Sequence, residues 1–414
     1  MDDFGFIDIV KDAASKRASD IFIKAGAPPR MKLHGEINDV EGYPVLTDEM
    51  AEKVIYENLT QEQIGRFERT HELDASLRFP GICRFRLNVY KQRGSIAAVF
   101  RVIPEEILTL EQLNMPEVLK SFAQLKDGLV LVTGPTGSGK STTLAAIINE
   151  INETRRANII TIEDPVEFVH QDKQSLLSQR EVGIDTESFG MALRQILRQA
   201  PDVILVGELR DVETMGIALS AAETGHLVFS TIHTSSASET MERIINMFPP
   251  AERELLCLRL SKTLKGIVAQ RLLKRIDKPG RMAAVEVLTA TPTTVKLIED
   301  GRSGALYDAI KEGKYYGMQT MNYNLDQFYK AGIISEKDAL ANSGNESELK
   351  MMMRRTGKGI GSGNLEQDQA AQVNANNPNR LQRPGAQRPG VAPRPGAPAP
   401  GAPRPGAPRP PQKP

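Results

Sequence analysis

Residues 134–142 read Gly134, Pro135, Thr136, Gly137, Ser138, Gly139, Lys140, Ser141 and Thr142, the glycine–four residues–Gly-Lys-Ser/Thr spacing of a phosphate-binding loop. The glycines let the backbone curl tightly enough to turn its N–H groups toward a β-phosphate. Lys140 is placed to reach the β- and γ-phosphates, and Ser141 to put its hydroxyl on Mg²⁺. Further on, polar residues gather in short clusters directly after apolar runs: Glu163, Asp164 and Glu167; then Glu208, Arg210 and Asp211; then His233. Glu208 is placed to hold Mg²⁺ through water, and Glu163 to polarise an attacking water, a task that needs a carboxylate within hydrogen-bond reach. Which of the two glutamates is the base stays open. His233 could sense a γ-phosphate by hydrogen bonding. For His226 a functional and a structural reading stand side by side. The chemistry predicted is hydrolysis of a nucleoside triphosphate with Mg²⁺.

These residues need elements to hold them. Gly128–Thr133 is a buried-strand run before the loop, and Thr142–Asn149 reads as a helix whose N-terminus faces the anion. Asn158–Ile162, Asp202–Gly207 and Leu227–Ile232 are further strands. Helices are expected over Ser188–Gln199 and Glu213–Thr224. This alternation predicts a mostly parallel sheet covered on both faces, an α/β fold. In such sheets ligands bind outside the carboxyl ends of the strands. Each polar cluster falls at one of those ends.

The first hundred residues read differently. Phe6–Ala14 is a helix, Ser19–Lys24 and Met31–Ile37 are strands, and Thr47 caps a helix to about Leu59. Glu72–Leu77, Cys83–Tyr90 and Ser95–Val102 alternate as antiparallel strands do. Residues 1–103 are therefore expected to form a small α+β domain, 104–116 a linker between Pro104 and Pro116, and 117–350 the nucleotide-binding domain. Arg84 and Arg86 share one strand face, and Arg101 ends the following strand. They suit either a solvated polar face or phosphate contacts supplied from a neighbouring subunit, which would require an oligomer.

Bulk properties narrow the class. Lys and Arg total 52 and so do Asp and Glu, so no global charge favours nucleic acid or an anionic membrane. The folded part has no aromatic-interleaved basic stripe of a nucleic-acid translocase. Cys83 and Cys257 form no metal-ligand pattern, and no apolar run approaches the roughly 20 residues of a membrane span. The acidic N-terminus lacks the features of a signal peptide, so a reduced, cytoplasmic location is expected. From 351 to 414 the composition turns to Gly, Gln, Asn and repeated Arg-Pro-Gly-Ala-Pro units, predicting a disordered, locally basic tail of polyproline II character. An inert tail, a ligand for an aromatic groove and a loose membrane contact remain open for it.

The blocks Gly134–Thr143, Thr161–Phe168, Gly207–Asp211 and Thr224–Thr234 resemble, in order, the Walker A, aspartate, Walker B and histidine boxes of the type II/type IV secretion ATPases. Ser19–Ile23 with Pro28, Pro29 and Gly35, then Arg84–Asn88 and Val99–Pro104, resemble the N-terminal domain of the PilT/PilU pilus-retraction motors. The resemblance spans about residues 5 to 345. It implies a RecA-like core, a PAS-like N-terminal domain and a homo-hexameric ring. It also implies that Arg84, Arg86 and Arg101 approach nucleotide bound on the core. The partners implied are an inner-membrane pilus platform protein and a PilT-like motor, with the ring peripheral to that membrane. Thr293–Asp300 keeps Leu297-Ile298 but lacks the two arginines of the corresponding PilT segment. Leu297–Arg302 and Tyr316–Leu325 are closer to PilU, the accessory retraction ATPase. The expected activity is ATP-driven pilus retraction, with a primary retraction motor, an assembly or secretion ATPase, and a regulatory ATP-binding ring as alternatives.

Overall fold

The computed structural model describes residues 5–356, apart from residues 17, 34, 80 and 104–106. The start of the expected linker, at Pro104, and nearly all of the tail lie outside the described residues. Two sheets organise what is described. The first contains β1 (Asp20–Lys24), β2 (Arg30–Leu33), β3 (Glu36–Asp39), β4 (Glu72–Phe79), β5 (Cys83–Gln92) and β6 (Ser95–Ile103). Its order is β3-β2-β1-β6-β5-β4, with every neighbouring pair antiparallel. One face is apolar: Ile21, Ile23, Phe85, Leu87 and Phe100 pack with the Phe6–Ser15 and Asp48–Tyr56 helices and with Phe67. The opposite face carries Asp20, Ser76, Arg84, Arg86 and Arg101, as the period of two requires.

The expected single strand over 31–37 is instead a hairpin, β2 to β3. Leu33 pairs with Glu36, and Gly35 has φ +94°, the left-handed region needed to reverse the chain in two residues. The helix expected to run from Thr47 to Leu59 ends at Tyr56, and Thr60 opens a second helix, Gln61–Thr70, through a reciprocal cap with Gln63.

The second sheet contains β7 (Gly128–Thr133), β8 (Asn158–Glu163), β9 (Leu176–Glu181), β10 (Val203–Val206), β11 (Leu227–Ile232), β12 (Leu264–Lys274) and β13 (Arg281–Thr289). The order is β13-β12-β7-β11-β10-β8-β9, parallel throughout except for the β12–β13 pair. The α/β expectation holds, with an antiparallel hairpin closing one edge. Strands β7, β10 and β11 are buried along their whole length, which is why they read as continuous apolar runs. Ile147, Ile148 and Ile151 of the Lys140–Thr154 helix cover one face, and Met215, Leu219 and Leu260 the other. A further cluster, built from Leu273, Met321, Leu325 and Leu349, packs the C-terminal helices onto the hairpin. No helix among the described residues is long and apolar enough to cross a membrane.

Candidate functional site: a phosphate-loop cleft at the strand ends

A cleft of about 430 Å³ opens at the carboxyl ends of β7, β8, β10 and β11, within the size range of a small-molecule site. Its walls bring together Lys140, Ser141 and Thr142 of the loop with Glu163, Glu208 and His233. The polar clusters read from the sequence thus converge on one volume. Thr136, Gly137 and Gly139 line the same cleft, while Ser138 is buried behind it. Gly134 and Pro135 form the base of the loop.

Two features set the loop's shape. Gly139, at φ +89°, ends the loop in a left-handed conformation immediately before the Lys140–Thr154 helix, leaving that helix's first N–H groups turned toward the cleft. At Gly134 a Cβ would lie 2.4 Å from the Gln270 carbonyl oxygen, so no side chain fits there. Gln270, on β12, is buried and braces the loop from beneath. Its Nε2 donates to the Ser138 carbonyl at 2.7 Å, and its Oε1 accepts from Thr143 Oγ1 at 2.8 Å. Lys140 is 9% exposed and its ammonium donates to the carbonyls of Gly134 and Pro135, at 2.9 and 3.1 Å. Burial lowers its pKa, against the opposing pull of Glu208 and Glu167.

Glu163 ends β8. Its Oε1 accepts from Thr161 Oγ1 at 2.6 Å and Gln179 Nε2 at 3.1 Å. Burial raises its pKa above the usual carboxylate range, and the two donors only partly offset that. Glu208, two residues past β10, is mostly buried. Its Oε2 lies 2.7 Å from Arg210 and 3.4 Å from His233 Nε2. Burial pushes Glu208 up, but Arg210 and His233 together outweigh it and hold the carboxylate below its ordinary range. One carboxyl is therefore tuned toward holding a proton and the other toward staying charged, the kind of separation that marks acid–base sites.

Other singled-out residues take different places. Asp211 caps the Val212–Glu223 helix, accepting from Thr214 N at 2.8 Å. His226 lies at the opposite end of β11 from the cleft, its Nδ1 2.9 Å from the Ala221 carbonyl near the end of that helix. The structural reading of His226 fits this position. None of Arg84, Arg86 and Arg101 lines the cleft of its own chain. Arg84 pairs with Glu181 at 2.9 Å and Arg101 with Asp20 at 2.9 Å, while Arg86 is exposed beside Arg101 in the β5–β6 ladder.

Sequence reading missed Gln270, Gln179 and Glu181. A glutamine directly after the apolar Ile267–Ala269, ahead of Arg271 and the apolar Leu272 and Leu273, is the one local signal for Gln270. It also missed β9 itself, an edge strand whose Leu176-Leu-Ser-Gln-Arg-Glu181 has no clear apolar alternation.

Residues 6–364 match the model of the type II/IV secretion system protein family. The chain belongs to that family. Among secretion-family relatives it is 45% identical over 327 residues to the type IV pilus retraction ATPase PilT of Pseudomonas aeruginosa, spanning 79% of this chain and 94% of that one. It is 42% identical over 349 residues to the type IV pilus ATPase PilU of the same organism, spanning 84% and 91%. A crystal structure of the pilus retraction motor PilT with bound ADP superposes with a TM-score of 0.80 at 42% identity, over 84% of this chain and all of that one. The fold is that of this secretion-family member. Identity does not separate PilT-like from PilU-like, so the expected leaning toward PilU gains no support from it.

Proposed function

We propose that the chain is an ATP-hydrolysing motor of the type IV pilus that powers or assists pilus retraction. The observation that carries the ATPase reading is the convergence of the loop, Glu163, Glu208 and His233 on one cleft at the strand ends. The pilus reading rests on the relatives named above.

ATP is the substrate. The loop N–H groups and Lys140 bind its phosphates, and the start of the Lys140–Thr154 helix adds its positive dipole end. The donor set fits Mg²⁺: Ser141 and Glu208 offer a hydroxyl and a charged carboxylate in one cleft, and this cation takes one or two carboxylates together with substrate phosphates. When bound, Mg²⁺ would neutralise charge developing on the phosphoryl oxygens. Arg210 and His233 orient Glu208 for that duty. Glu163, whose pKa burial raises, accepts a hydrogen bond and then a proton from the attacking water. Its carboxyl is fixed by Thr161 and Gln179 before substrate arrives. The face of the first sheet that carries Arg84, Arg86 and Arg101 meets the nucleotide of a neighbouring subunit in a homo-hexameric ring docked on an inner-membrane pilus platform protein, with Arg84 still held by Glu181 of its own chain.

Two retraction roles differ in what the cell shows. Thr293–Asp300, without the paired arginines, favours an accessory motor, and the two relatives stand too close in identity to weigh against it. Surface pili and their retractions are counted in living cells lacking the chain. Retraction that persists but stalls under load supports the accessory role. Abundant pili that never retract support the primary role. Loss of pili overturns both and makes the chain an assembly motor.

A further inference from the structure

Glu181, the last residue of β9, is 4% exposed and joins the two sheets. Its Oε1 accepts from Ser76 Oγ at 2.8 Å, and its Oε2 from Arg84 Nη2 at 2.9 Å and from the Val166 backbone N–H at 3.3 Å. Ser76 and Arg84 stand on β4 and β5 of the first sheet. Val166 lies in the turn that leaves Glu163. Glu163 is also the ladder partner of Glu181, and Val182 N donates to its carbonyl at 2.9 Å. Two residues earlier on the same strand face, Gln179 holds Glu163 Oε1, the Phe168 carbonyl and the His170 N–H. Strand β9 therefore grips the whole stretch from Glu163 to His170, and Glu181 is where that grip reaches the first sheet.

The energetics make this contact more than a fastening. A buried carboxylate is tolerated because it is paired, and the cation here comes from the other sheet. If the first sheet shifts, Arg84 and Ser76 leave together. Glu181 is then a buried charge with one backbone donor, and the turn that supplies this donor must rearrange. We infer that Glu181 is a positioning residue that transmits the placement of the N-terminal sheet to the Glu163 turn. This rests on the role given to Glu163 above.

The test uses the full chain with Ser76→Ala, Glu181→Gln and Glu181→Ala. Amide hydrogen exchange over 164–170 is read alongside kcat, KM and the pH profile of ATP hydrolysis. Ser76→Ala, on the far sheet, should raise exchange in 164–170 by about threefold or more, through loss of one hydrogen bond to a charged group. Glu181→Ala should lower kcat about tenfold or more while leaving KM within about twofold, because a catalytic group is displaced rather than a binding one. It should also move the acidic limb of the kcat profile to lower pH, since an opened turn lets water reach Glu163. Glu181→Gln keeps an acceptor and should recover part of the loss. Unchanged exchange in the Ser76 variant overturns the inference. So does a kcat loss that tracks only the folded fraction, with the acidic limb unmoved. If Glu181→Ala does not fold, the other two variants decide. If the wild-type chain fails to hydrolyse ATP, the ATPase reading falls, while the exchange measurement still decides the coupling.

Discussion

Replacing Gln270 by leucine removes the brace under the phosphate loop at nearly constant volume. Two hydrogen bonds are lost, at 2.7 and 2.8 Å, each worth about 1 kcal/mol net. The Ser138 carbonyl and Thr143 hydroxyl lose their bonds to Gln270, and a buried polar group left unpaired costs about 1–3 kcal/mol. Apolar burial of leucine returns about 1–2 kcal/mol, so the net loss should be about 1–4 kcal/mol. The loss falls on the loop, because Ser138 and Thr143 flank Gly139 and Lys140. Displacing the loop by about an ångström should weaken ADP binding about tenfold or more and lower kcat about a hundredfold. The chain has no tryptophan, so urea unfolding is followed by circular dichroism and ADP affinity by titration calorimetry. A variant that loses stability yet binds ADP as the wild type does would refute the claim that Gln270 positions the loop. Unchanged stability would refute the bracing itself.

Other expectations concern individual side chains. Glu163→Gln should abolish turnover yet increase stability, and the gain should grow as pH rises above about 4.5. Burial raises the folded pKa, so the wild-type carboxyl contributes stability in its protonated form and loses it as pH climbs through that raised value; unfolding at several pH values checks this. By the same sign, kcat of the wild type should fall on acidification at a higher pH than an ordinary glutamate would give. Glu208→Gln should lower kcat by about 10²–10³ with nucleotide still bound, measured by paired turnover and binding assays. His226→Ala should lower stability by about 1 kcal/mol and leave kcat unchanged, since its ring lies near the end of a helix remote from the cleft.

What the sequence revealed depended on how local the signal was. The phosphate loop and the clusters at 163, 208 and 233 each follow a short apolar run, so both the strands and their ligand-facing ends could be read from a few neighbouring residues. The braces could not. Gln270 meets residues 127 and 132 positions away, and Glu181 meets Arg84 across 97, separations that carry no periodic signal. Strand β9 escaped notice because an edge strand exposes Leu176 and alternates weakly. The β2–β3 hairpin was hidden by a two-residue turn at Gly35, which leaves too little polar sequence between its strands to announce a break. Asp211 shows the converse: at a strand-end cluster it resembles a ligand, yet its carboxylate caps a helix.

The central claim is hydrolysis of ATP at this cleft, and steady-state phosphate release by the purified full chain tests it most directly. Wild type and Lys140→Ala are measured side by side with Mg²⁺ and with chelator. The account predicts Mg²⁺-dependent turnover by the wild type and none by the variant, which lacks the buried ammonium at the loop. Turnover by Lys140→Ala at the wild-type rate would contradict it, as would a folded, nucleotide-binding wild type that releases no phosphate.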